Sequence, residues 1–270
     1  MNSLQAIVLG VVQGLTEFLP ISSDGHLAVT YRLLGQRPDL TFEVFLHAAT
    51  LIAMVIYFRA DIARLLASLL PKNADRRDDR RLVLLIIIAT GVSGVLALAL
   101  SPYVEDLSNS MTWVGLGFIL TAVLLTVGEK LAQSEKSGGT DKLRVPAVGF
   151  IGALQGLAVL PGVSRSGSTI AAGMLAGLSR EQAARFSFLL GIPIIFLAVA
   201  KDAVDLLRGH EQLPAVLPSI IGFIASGVTG YLAIKLLLSI VKQHKLYWFA
   251  AYTAVLGTAM LLMDTVFARG

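Results

Sequence analysis

A chain of 270 residues with 55% hydrophobic and only 15% charged side chains cannot clothe itself in an ordinary solvated surface, so lipid is its natural solvent and a soluble domain is excluded. The net charge of +4 would invite nucleic acid in a soluble protein, but a basic face needs an aqueous surface to present it, and no nucleic-acid partner is expected. Cysteine is absent, which excludes disulfides, thiolate metal sites and a cysteine nucleophile.

The first apolar stretch, roughly 4 to 34, is interrupted at Pro20-Ile21-Ser22-Ser23-Asp24-Gly25-His26. Proline removes a backbone donor and serine caps a helix, so one helix should end near Pro20 and another begin after the serines. Continuous apolar runs follow at roughly 42–58, 82–101 and 112–128, each near the ~20 residues that a helix needs to cross a bilayer. The link at 59–81 carries Arg59, Arg64, Lys72, Arg76, Arg77, Arg80 and Arg81. Within it, 61–70 is amphipathic enough to lie on the membrane face, and the mixed-sign run 74–81 reads as a solvated loop. After a second basic link at 129–145 (Lys130, Lys136, Lys142, Arg144), another interrupted stretch, 146–178, breaks at Pro161-Gly162-Val163-Ser164-Arg165-Ser166-Gly167. Runs at 183–200, 216–238 and 246–267 complete the chain.

Non-helical backbone at membrane depth survives only where it is buried in protein or lines a wet cavity, so each interrupted stretch is read as a re-entrant hairpin of two half-helices. The expected fold is an all-α integral membrane protein, a single domain over 1–270 with six transmembrane helices and two re-entrant hairpins. Lysine and arginine mark the links 59–81 and 129–145 as cytoplasmic, and the link 102–111, which has neither, as external.

The segments Gly10-Val-Val-Gln13-Gly14-Leu15 and Gly152-Ala-Leu-Gln155-Gly156-Leu157 match at an offset of 142, and Ser22 and Gly25 pair with Ser164 and Gly167 at the same offset. The halves, roughly 1–128 and 146–267, each hold one hairpin and three spans. Three is odd, so the second half is expected to be inverted, bringing the hairpin tips together near the midplane.

The chemistry-bearing residues cluster at these breaks. Gln13 and Glu17 share a helix face just before the first; Ser22, Ser23 and Asp24 open the next helix, with Gly25 and His26 on its first turn. In the second, Arg165 lies between Ser164 and Ser166 at a helix start, followed by Gly167, Ser168 and Thr169. Two facing helix N-termini cradle an anion, and a guanidinium adds a fork suited to phosphate oxygens. Glu17 and His26 can exchange protons and a serine can act as nucleophile, a set that suits phosphoryl transfer. Ser22, Ser23 and Ser164 taken singly also read as plain N-caps, which leaves Glu17 and Arg165 unexplained at membrane depth. Glu43 and His47 open a spanning helix and face either the cavity or the head groups.

Gln13-Gly-Leu-Thr-Glu17-Phe-Leu-Pro20-Ile-Ser22-Ser23-Asp24-Gly25-His26 and Pro161-Gly162-Val-Ser164-Arg165-Ser166-Gly167 resemble the two signatures of the undecaprenyl-diphosphate phosphatase family linked to bacitracin resistance. Phe42-Glu43-Val44 is similar to a further family segment, and the resemblance runs the length of the chain. It implies hydrolysis of undecaprenyl diphosphate to the monophosphate on the external side of the bacterial plasma membrane, recycling the carrier lipid for peptidoglycan synthesis. It also implies a divalent cation, Mg²⁺ or Ca²⁺, and often a homodimer. Carried over by residue, it implies Glu17, Ser23, His26 and Arg165 as catalytic, with Ser23 the nucleophile unless a metal-activated water takes its place. Ser22, Asp24, Gly25, Ser164, Ser166, Gly167 and Thr169 are the candidate substrate-binding residues. Two positions depart from the pattern: Gln13 stands where some members have a second glutamate, and Asp24 where Thr or Ser is commoner. A metal ligand set is therefore Glu17 with Gln13 or Asp24, unless Asp24 merely caps its helix. A flippase for the same lipid is the alternative, since inverted repeats with midplane half-helices also build transporters.

Overall fold

The computed structural model describes residues 1–73, 75–131, 139–208 and 215–267, and its architecture among them is all-helical. Lys136 of the second basic link and Ala74 of the mixed-sign run lie outside the described residues.

Helix α1 (Ser3–Phe18) opens on a reciprocal cap, in which the Asn2 side chain accepts from Gln5 N–H and the Gln5 side chain accepts from Asn2 N–H, both at 2.9 Å. It stops two residues before Pro20, and α2 (Ser23–Leu33) starts at the serines. Ser22 caps α2 at a positive φ of 71°, a region that a residue with a Cβ rarely enters. The second interrupted stretch repeats the plan: α7 (Val145–Leu157) carries Pro at its first turn and ends before Pro161, and α8 (Arg165–Leu175) is capped by Ser164. Both predicted breaks are present.

The intervening helices are α3 (Leu40–Tyr57), α4 (Arg59–Ser68), α5 (Arg77–Ser108), α6 (Met111–Leu131), α9 (Arg180–Leu207), α10 (Val216–Gln243) and α11 (Tyr247–Phe267). Among the described residues five of them, α3, α5, α6, α9 and α10, are long and apolar enough to cross a bilayer, while the apolar part of α11, Tyr247–Met263, groups with the shorter helices. Their outward faces carry exposed Leu84, Ile87, Val95 and Leu98 on α5 and Val216, Ile220, Ile224 and Val228 on α10, apolar surface of the kind that lipid covers. The chain is a multi-pass membrane protein. The mixed-sign run differs from its expected loop: from Arg77 onward it forms the first turns of α5, with Asp79 paired to Arg64 and Arg81 donating to the carbonyls of Thr140, Asp141 and Leu143. These partners lie far away in sequence and carry no local pattern.

Packing crosses between the halves. Helix α1 packs chiefly on α10 and its counterpart α7 on α5, while α6 and α11 pair with each other. The matched glycines make this contact close: a Cβ on Gly14 would lie 2.5 Å from the Ser226 carbonyl oxygen, and one on Gly156 would lie 2.9 Å from that of Ser93. Gly115 and Gly257, again 142 apart, face each other across α6 and α11, where a Cβ on either would fall within 3.0 Å of the other's carbonyl oxygen.

Candidate functional site

Glu17 ends α1 as a buried carboxylate, and four groups converge on it. Its Oε2 accepts from Gln13 Nε2 at 3.1 Å, because the two lie one helical turn apart, and from Ser23 Oγ at 2.8 Å across the break. Its Oε1 accepts from Arg165 Nη2 at 2.5 Å, an ion pair joining residues 148 apart. His47, one turn along α3 from Glu43, brings Nε2 to 3.8 Å from Glu17 Oε2 and 3.7 Å from Asp24 Oδ1.

The second break meets the first directly. Ser166 Oγ donates to the Leu19 carbonyl at 3.0 Å and lies 3.2 Å from Ser164 Oγ, and a Cβ on Gly167 would stand 3.4 Å from Pro20 Cβ. A Cβ on Gly25 would enter the Phe118 ring of α6 and stand 3.2 Å from Gly162 Cα, so glycine at this position lets the start of α2 approach α6 and the second break. Thr121 of α6 fastens the second break from the side: its Oγ1 accepts from Ser164 N–H at 2.9 Å and lies 3.2 Å from the Gly162 carbonyl oxygen.

Ser22 and Ser164 are N-caps, accepting from the Gly25 and Gly167 N–H groups at 3.4 and 3.0 Å. Asp24 is half-exposed beside His47. Thr169 is engaged one turn further along, bonded to the carbonyls of Arg165 and Ser166 and to Ser187 Oγ at 2.5 Å. His26 faces away from the Glu17 cluster in its bonding: Nδ1 meets the Ser22 carbonyl at 2.6 Å and Nε2 meets the Tyr252 hydroxyl at 2.8 Å.

Two buried polar atoms at the centre have no hydrogen-bond partner, Arg165 Nη1 and Gln13 Oε1. A buried guanidinium donor left without a partner is costly unless a ligand takes it, and it points to an anion. An orphaned amide oxygen beside a carboxylate suits a hard cation. Among the described residues no three acidic or histidine side chains are grouped to hold a metal ion, so a cation here needs oxygens from the bound anion.

Sequence reasoning placed Glu17, Ser23 and Arg165 together but missed Tyr252, Thr121 and Gly191. A Cβ on Gly191 would press to 3.0 Å from Arg165 Cζ, so this glycine of α9 is the floor on which the guanidinium rests. In an apolar span a glycine and a tyrosine give no hint of what they face.

The pattern of the family described as "Bacitracin resistance protein BacA" matches residues 6–259. A protein of Carboxydothermus hydrogenoformans named undecaprenyl-diphosphatase is 37% identical over 98% of this chain and 98% of its own length. Proteins of the same name from Desulfosudis oleivorans and Rubrobacter xylanophilus are 41% and 40% identical, over 97% and 96% of this chain and 98% of each relative.

Proposed function

The chain belongs to the bacitracin resistance protein BacA family, and from that premise we propose that it is an undecaprenyl-diphosphatase, hydrolysing undecaprenyl diphosphate to undecaprenyl phosphate and inorganic phosphate. The observation that carries the reading is the buried line Ser23–Glu17–Arg165 with one guanidinium nitrogen left free.

Arg165 Nη1 and the N-termini of α2 and α8 bind the terminal phosphate, where opposite charge and open N–H groups act in a medium of low dielectric. Ser23 Oγ attacks the terminal phosphorus and its proton passes to Glu17 Oε2, the carboxylate to which it already donates. The bond from phosphorus to the bridging oxygen breaks, and undecaprenyl phosphate leaves as its dianion. Water then attacks the phosphoserine, its proton going to His26 Nε2, while Ser23 Oγ departs and recovers its proton from Glu17. Glu17 with Gln13 Oε1 or Asp24 would hold a Mg²⁺ or Ca²⁺ ion together with diphosphate oxygens. Such an ion supplies charge neutralisation on the diphosphate.

The same reading makes the two breaks re-entrant hairpins of an inverted repeat with six spans, opening to the external side of the plasma membrane. The exchanged packing of α1 on α10 and α7 on α5 supports the repeat, and the clustering of basic residues in the links 59–81 and 129–145 supports the orientation. In detergent, purified protein with a short-chain prenyl diphosphate should release phosphate, and Arg165→Ala should reduce the rate by roughly 10²-fold or more. Equal release by both proteins overturns the assignment. In vesicles loaded on one face, lipid movement without phosphate release would establish the flippase instead.

A further inference from the structure

We propose that Tyr252 is a positioning residue for the reaction, holding the imidazole of His26 with Nε2 as a proton acceptor; this rests on the phosphatase reading above. Nδ1 lies 2.6 Å from the Ser22 carbonyl, which can only accept, so Nδ1 carries the proton. In the neutral ring Nε2 is then a bare lone pair, and the Tyr252 hydroxyl at 2.8 Å donates to it. The ring is also fixed in plane. Tyr252 stacks on it at 5.6 Å between centroids and 11° between planes, and Phe118 makes a T-shaped contact with it at 5.2 Å and 89°.

The position of this contact in the fold gives a second reason. Helices α6 and α11 pair with each other across the two halves, and each reaches the break of the half to which it does not belong. From α6, Thr121 holds Ser164 and Gly162 of the second break; from α11, Tyr252 holds His26 beside the first. Thr121 serves backbone groups and so reads as a structural clamp. Tyr252 serves a side chain that the chemistry uses. Nε2 has one lone pair, so the Tyr252 hydroxyl holds it as the acceptor until the attacking water takes that place and delivers its proton, after which the imidazolium Nε2–H can donate to the hydroxyl oxygen.

The consequence is confined to the second chemical step. Tyr252→Phe keeps the stacked ring and removes only the hydroxyl. It should lower kcat roughly five- to tenfold, the effect expected of one hydrogen bond, and lower KM in the same proportion, so that kcat/KM, which reports only the steps up to phosphoserine formation, is unchanged. With labelled substrate the variant should accumulate phosphate on Ser23 beyond the wild-type level, because the phosphoserine forms normally and breaks down slowly. In a His26→Gln background the same substitution should add no further loss. The side-chain ¹⁵N spectrum of His26, which needs no turnover, should show a hydrogen-bonded acceptor Nε2 in the wild type and a shifted resonance in Tyr252→Phe. Wild-type kcat in the variant, an equal further loss in the His26→Gln background, or an unshifted Nε2 resonance would each overturn the role of Tyr252. If the wild-type protein itself releases no phosphate, the phosphatase reading fails, and the nitrogen spectrum still decides the contact on its own.

Discussion

Arg165 is the residue on which the site's electrostatics turn. One of its terminal nitrogens holds Glu17 at 2.5 Å and the other is buried and free, so the guanidinium can bind an anion without releasing its carboxylate. A lysine ammonium gathers its donors on one nitrogen and lacks the planar fork whose two separated nitrogens face different partners, so Arg165→Lys should recover little of the activity lost in Arg165→Ala, with kcat/KM still down roughly 10²-fold. Gly191→Ala tests the same group from beneath: the added methyl meets the guanidinium and should lift it off Glu17, lowering kcat/KM about tenfold or more by steady-state phosphate release. Glu17→Gln keeps the side-chain shape but loses the charge that accepts from Ser23 and Arg165, and labelled phosphate on the protein should fall below detection. Glu17, Ser23 and Arg165 were legible in the sequence because charged and hydroxyl groups at breaks in apolar stretches have few structural excuses. His47 was legible only as a residue at the start of a span. Its approach to Glu17 and Asp24 depends on how α3 leans on α1, which no local pattern encodes.

The helices that matter most at the scale of elements are the short ones. Helices α2 and α8 have 11 residues each, too few to cross a bilayer, and their starts are set by Ser22 and Ser164. These breaks were readable because Pro, Gly and Ser act through the backbone itself. The two caps are not equivalent. Ser164 sits in extended backbone at φ −75°, whereas Ser22 is held at φ 71°. Removing the cap at position 164 should therefore cost about 1 kcal/mol, while Ser22→Gly should change stability by less than about 0.3 kcal/mol or raise it, since relief of the backbone offsets the lost cap. Thermal unfolding in detergent of Ser164→Ala and Ser22→Gly checks both, and an equal loss in the two variants would contradict the strained assignment at Ser22. The beginning of α5 was not readable: its first turn is an Arg/Asp run, and the partners that order it come from α4 and from the stretch around Thr140 to Leu143.

At the scale of the whole molecule, helices from the first part of the chain pack on helices from the second, α1 on α10, α5 on α7 and α6 on α11. The offset of 142 was visible in sequence over the hairpins, and it recurs in the contact between Gly115 and Gly257, where sequence alone offered only two glycines in apolar runs. What the repeat could not reveal is the exchange of partners, α1 with α10 and α7 with α5, because packing between distant helices is decided by surface shape along their whole length. That exchange presses the two breaks together. The chain has no cysteine, so a pair introduced at the breaks reports on this without background. Pro20→Cys with Gly167→Cys places Cβ atoms about as far apart as the 3.4 Å between Pro20 Cβ and a Cβ on Gly167, close to the ~3.5–4.5 Å of a disulfide. Under mild oxidant, protease fragments from the two halves should stay covalently linked until reductant is added. Fragments that separate, with both thiols still free to react, would mean that the breaks do not meet and that no shared site exists.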